Sequence, residues 1–114
     1  GLAKKYLNLF KYKNVNFHET NSVEVKNYDV VISNWCLSEL DEEGMKFYLD
    51  NVIKNCQFGY FLINFSALGY DDHTDKQNQS FLINGLKKIF SNVIIEKEFP
   101  QTSKKQNYVL LCSK

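Results

Sequence analysis

The feature that most constrains this fold is the stretch Tyr28 to Asn34, whose apolar run, Val30 to Ile32, stops abruptly at polar and aromatic residues (residues 28–40, YDVVISNWCLSEL). Its centre, Val30 to Ile32, is β-branched, and β-branched residues favour strands. A strand with one solvated face alternates apolar and polar side chains, whereas a strand buried in a parallel sheet reads as a continuous apolar run. The run therefore predicts a strand inside a parallel sheet that is covered by helices on both faces.

A second apolar run, Gly59 to Phe65 (GYFLINF), repeats this pattern and predicts a second strand. Between the two strands, apolar residues recur at the spacing of one helical face, which predicts an amphipathic helix. The residues on that face are Met45, Tyr48, Leu49, Val52, Ile53 and Cys56. Residues 41–43 are all acidic, and they suit the first turn of this helix, where the helix dipole favours negative charge.

The rest of the chain continues the alternation of helices and strands. The predicted elements are a helix end over residues 2–12, a short strand over 15–19, a polar loop over 66–76, a helix over 81–90, and two strands over 93–99 and 107–112. Since the connection 100–106 is too short for a helical crossover, the last two strands should be antiparallel. This order indicates one α/β domain over residues 1–114.

Charge and composition exclude several classes of function. The formal net charge is +1 and all 14 basic residues are lysine, so the chain lacks the basic excess and the arginines with which proteins bind nucleic acid or an anionic membrane. No apolar run is long enough to span a membrane, and no signal peptide is recognisable. Three widely spaced cysteines and two distant histidines indicate neither a metal site nor a disulfide framework. We therefore expect a cytoplasmic protein with reduced thiols.

Two segments resemble class I S-adenosylmethionine-dependent methyltransferases, most closely the sugar O-methyltransferase group. Residues 28–44 (YDVVISNWCLSELDEEG) resemble the fourth strand of that family and its following turn, and residues 92–114 are similar to the sixth and seventh strands. The resemblance implies a Rossmann-like methyltransferase sheet, mostly parallel with a C-terminal antiparallel hairpin strand. It also implies S-adenosyl-L-methionine as cofactor and methyl transfer to a hydroxyl of a sugar or similar small molecule.

The chain departs from this family at its beginning. The family has a glycine-rich loop after its first strand, and this chain contains no such loop. Its first residues, GLAKKYLNLF, look like the helix after the second strand, so the chain resembles the C-terminal portion of a methyltransferase domain that lacks the first two strands. We expect this portion to be inactive alone. The alternative is a non-catalytic, degenerate methyltransferase-like module that binds a partner or self-associates.

The absent strands leave an unpaired edge in the predicted sheet. In the family, the first two strands separate the third strand from the fourth, so here the strand 28–34 should expose one edge to pairing. We expect either the strand 15–19 to occupy this edge or a second copy of the chain to form a homodimer through it.

The first group of candidate site residues follows the strand 28–34, because ligands of open α/β sheets bind beyond the carboxyl ends of strands. Ser33, Asn34 and Trp35 are predicted to contact the cofactor. Ser38 is predicted to bind substrate, and Glu39 to bind a sugar hydroxyl or act as a base. Alternatively, Trp35 is a core residue, and Ser38 and Glu39 begin the next helix, with Ser38 as its cap.

A second group follows the strand 59–65. Asn64, Tyr70 and Asp72 are predicted to bind substrate, and His73, adjacent to Asp72, is predicted to remove the proton of the acceptor hydroxyl. The alternative is a solvated surface loop.

A third site is implied by the resemblance at the end of the strand 15–19. There Glu19 or Asn21 would contact the adenine amino group of the cofactor. The alternative is a plain turn after the strand.

Overall fold

The computed structural model describes residues 4–6, 14–18, 22–64, 72–102, 104 and 106–114. The strands and longer helices in this part of the chain are β1 (Tyr28–Asn34), α1 (Glu42–Asn51), β2 (Cys56–Ile63), α2 (Asp72–Ile89), β3 (Asn92–Lys97) and β4 (Tyr108–Ser113). Two 3-10 turns, Cys36–Glu39 and Ile53–Asn55, flank α1.

The strands form one mixed sheet with the order β1-β2-β4-β3. β1 and β2 are parallel, and Val31 lies opposite Gly59. β4 is antiparallel to both of its neighbours. β3 consequently runs in the same direction as β1 and β2, and the reversed β4 lies between β2 and β3. The predicted α/β class and the antiparallel relation of the last two strands are confirmed.

β1 has the predicted bounds, whereas the boundary between α1 and β2 differs from the prediction. The helix was expected to continue to Cys56, but it ends at Asn51, and β2 already begins at Cys56. Two asparagine side chains bond to backbone carbonyls one turn back, from Asn51 Nδ2 to Phe47 O at 2.8 Å and from Asn55 Nδ2 to Asn51 O at 3.1 Å. Such bonds compete with the helical ladder and favour its end.

Two further predictions are wrong over the residues that the structure describes. Residues 15–18 belong to no strand and are exposed, so this part of the predicted strand 15–19 does not occupy the edge of β1. Residues 72–76, predicted as loop, are helical, because α2 begins at Asp72 rather than near Phe81. The first turns of α2 are polar, and apolar periodicity reports only the part of a helix that is buried. Phe65, predicted as the end of the strand 59–65, and residues 66–71 of the predicted loop lie outside the described residues.

Both helices pack on one face of the sheet, which we call the inner face. The largest fully buried side chains there include Met45 of α1, Leu82 and Leu86 of α2, Phe61 of β2 and Leu110 of β4. The expectation of helices on both faces is not met among the described residues, where every long helix contributes to this one core.

The opposite face of the sheet, the outer face, is apolar and exposed. The strand register aligns its side chains in neighbouring rows, and the exposed apolar members are Val30, Ile32, Phe58, Tyr60, Leu111 and Ile94. Val30 is 51% exposed and Ile32 is 66% exposed. The sequence of β1 predicted a strand buried on both faces because both faces carry apolar side chains. In the described structure only its inner face is covered.

Gly59 gives a test of inner-face packing. The ring of Phe61 lies across Gly59, and a Cβ atom at this glycine would stand 2.4 Å from Phe61 Cε2. Gly59→Ala should therefore lower the free energy of unfolding by about 1–3 kcal/mol through overpacking, as measured by urea denaturation. In a Phe61→Leu background the same substitution should cost clearly less. An equal loss in both backgrounds would show that the ring is not the cause.

Candidate functional site at the carboxyl edge

One edge of the sheet collects most of the predicted site residues. Because β1, β2 and β3 run in the same direction, their carboxyl ends lie at the same edge. We call this the carboxyl edge and define it by residues 33–41, Asn64, the first turns of α2 and the described residues of the connection between β3 and β4, which are 98–102, 104, 106 and 107. Open α/β sheets bind ligands at such an edge.

Trp35 has the most unusual backbone at this edge. Its φ of 60° and ψ of −19° are left-handed, the only positive φ at a non-glycine residue among those described. A bulky residue in this region is a genuine outlier, and such strain costs about 1–3 kcal/mol. The Trp35 N–H donates to Leu62 O at 2.7 Å, so the strained residue is tied to the end of β2. Its side chain remains 43% exposed.

Ser38 connects the ends of the two parallel strands. It is only 3% exposed, its Oγ donates to Trp35 O at 2.8 Å, and the Asn64 N–H donates to the same Oγ at 3.2 Å. The hydroxyl proton and one lone pair are thus engaged within the protein. This geometry makes Ser38 a positioning residue for Trp35 and Asn64, while its predicted contact with substrate remains untested.

The 3-10 turn Cys36–Glu39 leads into α1, whose start is held by a capping residue. Asp41 is the N-cap, and its carboxylate accepts from the Gly44 N–H at 2.8 Å. Glu42 and Glu43 occupy the first turn, as predicted. Ser38 is therefore not the cap of α1, and Glu39 lies exposed in the preceding 3-10 turn.

A cavity of about 260 Å³ lies beside the end of β1. The residues that line it are Ser33, Asn34, Cys36, Leu37, Tyr48, Val52, Ile53, Val31 and Ile32. Two of the five cofactor-binding candidates, Ser33 and Asn34, therefore share one cavity. Trp35 and Glu39 are neighbours of this cavity along the chain but do not line it.

Two cysteines behave as structural thiols. Burial raises the pKa of the Cys112 thiol to about 11, and it raises that of Cys56 as well. A raised pKa suppresses the thiolate, which is the nucleophilic form. Cys36, at the cavity, is exposed.

The second and third groups of candidates are only partly described. Asn64 directly follows β2, while Asp72 and His73 open α2 and so lie in a helix rather than in a surface loop. Tyr70, Glu19 and Asn21 lie outside the described residues.

Asp75 is a candidate that sequence reasoning missed. It lies one turn into α2 and is 9% exposed, and its Oδ1 is a buried atom that has no hydrogen-bond partner among the residues described. A buried polar group normally has a partner, so an orphaned carboxylate oxygen indicates a functional position or a missing ligand. The sequence does contain a pattern that could have indicated its burial. Asp75 precedes Leu82 and Leu86 by seven and eleven residues, which places it on the same helical face as these buried residues.

A hydrogen-bond network holds the connection between β3 and β4. The Glu98 carboxylate accepts from Asn107 Nδ2 at 2.6 Å and from the Thr102 hydroxyl at 2.9 Å and main-chain N–H at 3.2 Å. Asn107 is fully buried, whereas Phe99 beside the network is 96% exposed. Desolvation raises the pKa of Glu98, but the hydrogen bonds from Asn107 and Thr102 outweigh it and hold that pKa below its ordinary value.

Comparison of the chain with protein-family models, with curated proteins and with solved structures gave no match. Over the described residues, no three His, Cys, Asp or Glu side chains gather closely enough to hold a metal ion. The helices described here are too short or too polar to cross a bilayer.

The strain at Trp35 can be measured with two substitutions that both remove the indole. The free energy of unfolding of Trp35→Gly, measured by urea denaturation, should exceed that of Trp35→Ala by about 1 kcal/mol. The reason is that only glycine adopts a left-handed backbone without steric cost. Circular dichroism can follow both variants. Equal stability, or a more stable alanine variant, would contradict the left-handed assignment.

The Glu98 network should make stability depend on acid pH. A pKa below the ordinary value of 4.5 means that the folded state favours the carboxylate. This stabilisation is complete above the unfolded pKa and is lost as the pH falls through the folded pKa. Glu98→Gln should therefore have a lower thermal midpoint than the wild type at pH 7. At a pH below both the folded and the unfolded pKa of Glu98, the two thermal midpoints should be equal. Thr102→Ala, which removes the hydroxyl and keeps the N–H, should be intermediate at pH 7. If the difference in thermal midpoint between the wild type and Glu98→Gln were the same at both pH values, the network would not be its cause.

Proposed function

We propose that this chain forms part of an S-adenosylmethionine-dependent O-methyltransferase that acts on a sugar or similar small hydroxylated molecule. The observation that carries the proposal is the end of β1, where Ser33 and Asn34 line a cavity and Trp35 is held in a strained conformation. Backbone strain that the surroundings maintain is characteristic of ligand-binding positions. The reversed last strand, β4, adds support, because the resemblance implied such a strand.

The donors at the cavity suit an adenosine-type ligand. The amide of Asn34 and the hydroxyl of Ser33 can donate to and accept from polar groups, and the exposed indole of Trp35 can stack on a purine. When bound, S-adenosyl-L-methionine supplies an activated methyl group. The volume of 260 Å³ lies below the range of about 300–1,000 Å³ that is typical of complete ligand pockets. The chain would therefore supply one part of the cofactor surface.

Methyl transfer to a hydroxyl also needs a group that takes the acceptor's proton. The acceptor oxygen forms a bond to the methyl carbon, the bond from that carbon to sulfur breaks, and the hydroxyl proton passes to a base. Glu39 and His73 are the candidates from sequence. Asp75 has the stronger structural support, because its Oδ1 is buried at the carboxyl edge and lacks a donor.

The alternative, a non-catalytic module, is favoured by a different observation. The outer face of the sheet and the free edge of β1 expose apolar and unpaired groups in the described structure. Extensive exposed apolar surface is typical of an association site. This function would require neither Asn34 nor Asp75.

Titration with S-adenosylhomocysteine distinguishes the two functions. Trp35 is the only tryptophan, so its fluorescence reports directly on the carboxyl edge. We expect the titration to change this fluorescence, and we expect Asn34→Ala to weaken the affinity about tenfold through loss of polar contacts. Calorimetry provides an independent affinity for each variant.

Asn92→Ala is the matched control, because Asn92 is an exposed amide at the start of β3 and so at the opposite edge of the sheet. Its affinity for S-adenosylhomocysteine should equal that of the wild type. Absence of binding by the wild type, or equal weakening by both substitutions, would reject the proposed cofactor site. Methyl transfer by the isolated chain would reject the view that it holds only part of the pocket.

A further inference from the structure

We propose that β1 is the interface of a homodimer in which two copies of the chain pair their β1 strands antiparallel about a two-fold axis at Val31. The inference rests on the free edge and residue pattern of β1, and it is independent of the proposed methyl transfer. The occupant of the edge is thus a second copy of this chain.

The backbone groups that would form this interface can be identified. Among the described residues, β1 pairs only with β2. The Trp35 N–H donates toward β2, to Leu62 O. Since backbone groups point alternately to the two sides of a strand, Val30 and Ile32 direct their N–H and C=O groups toward the free edge. Unpaired groups in a row are a template for another strand.

β1 lacks the features that normally protect an edge strand from pairing. Along its full length it has no proline, no lysine and no bulge, and Asp29 is its only charged residue. Val30 and Ile32 expose large apolar side chains beside the edge. Proteins block an unwanted edge with charges, prolines or bulges, so an unprotected edge of this length is expected to be occupied.

The sequence of β1 is complementary to its own reverse. With the axis at Val31, Val30 lies opposite Ile32 of the partner subunit, and Tyr28 lies opposite Asn34 of the partner subunit. Asp29 lies opposite Ser33 of the partner subunit, so the two carboxylates do not face each other. Like charges directly opposite would be destabilising, whereas β-branched pairs are favourable.

This register is also the longest one available. Val30 and Ile32, whose backbone groups face the edge, become the hydrogen-bonded pairs, and Val31 pairs with its own copy at a non-hydrogen-bonded position. Moving the axis to Val30 leaves Ser33 and Asn34 unpaired, and moving it to Ile32 leaves Tyr28 and Asp29 unpaired. Only the axis at Val31 pairs every residue of β1.

Charge pairs placed at the two exposed positions test this register directly. In a Val30→Lys/Ile32→Lys variant, each lysine would oppose another lysine of the partner. In a Val30→Lys/Ile32→Glu variant, each lysine would oppose a glutamate. Both variants lose the same two apolar side chains, so their difference reports on charge at these positions and not on lost apolar surface. Like charges directly opposite destabilise strand pairing, opposite charges stabilise it, and the interface contains two such pairs, so we expect the dissociation constant of the first variant to exceed that of the second about fourfold or more.

Sedimentation equilibrium measures the dissociation constants, and circular dichroism verifies that both variants are folded. Raising the salt concentration should narrow the difference between them, because exposed charges are screened. A wild type that stays monomeric at high micromolar concentration would overturn the proposal, because no second copy would then pair with the edge of β1. Equal dimerisation of the two variants would also overturn it, since association would then use another surface such as the outer face.

Discussion

The parallel pairing of β1 with β2 is the constraint on which the rest of this structure depends. It brings two carboxyl ends to one edge, and two contacts between the strand ends then hold them together. The Trp35 N–H bonds to Leu62 O, and the Ser38 hydroxyl joins Trp35 to Asn64. The strained backbone of Trp35 persists because these bonds determine it from both sides. Without this pair of strands, Trp35, Ser38 and Asn64 would not be held together at the carboxyl edge.

The sequence predicts elements well where a local signal has a single physical meaning. The bounds of β1 were predicted because an apolar run that ends in polar residues marks a strand end, and the last two strands were assigned as antiparallel from a connection too short for anything else. The start of α2 was missed because its polar turns carry no apolar periodicity. The left-handed Trp35 could not be foreseen, since a bulky side chain argues against that conformation and only the tertiary bonds impose it.

The sequence predicted which residues lie together at the candidate site, but not what each one does there. The rule for open α/β sheets directed attention to the carboxyl edge, where Ser33 and Asn34 share a cavity. Residue type alone could not distinguish a side chain that faces a ligand from one that holds the backbone, so Ser38 was predicted as a substrate contact although its hydroxyl links two strand ends. Asp75 was overlooked for the complementary reason. Its importance comes from burial without a partner, which is a property of the packed structure.

The outer face and the cavity connect the two proposals, because both adjoin the free edge of β1. Apolar residues such as Val30 and Ile32 are costly to leave in water, so their presence indicates a face that another surface covers. A second copy paired along β1 would bring its Asp29 opposite Ser33, at the mouth of the cavity that Ser33 and Asn34 line. Cofactor binding and strand pairing would then compete for the same groups. Under the two proposals, the occupant that binds this edge more tightly would determine which of the two functions the chain has.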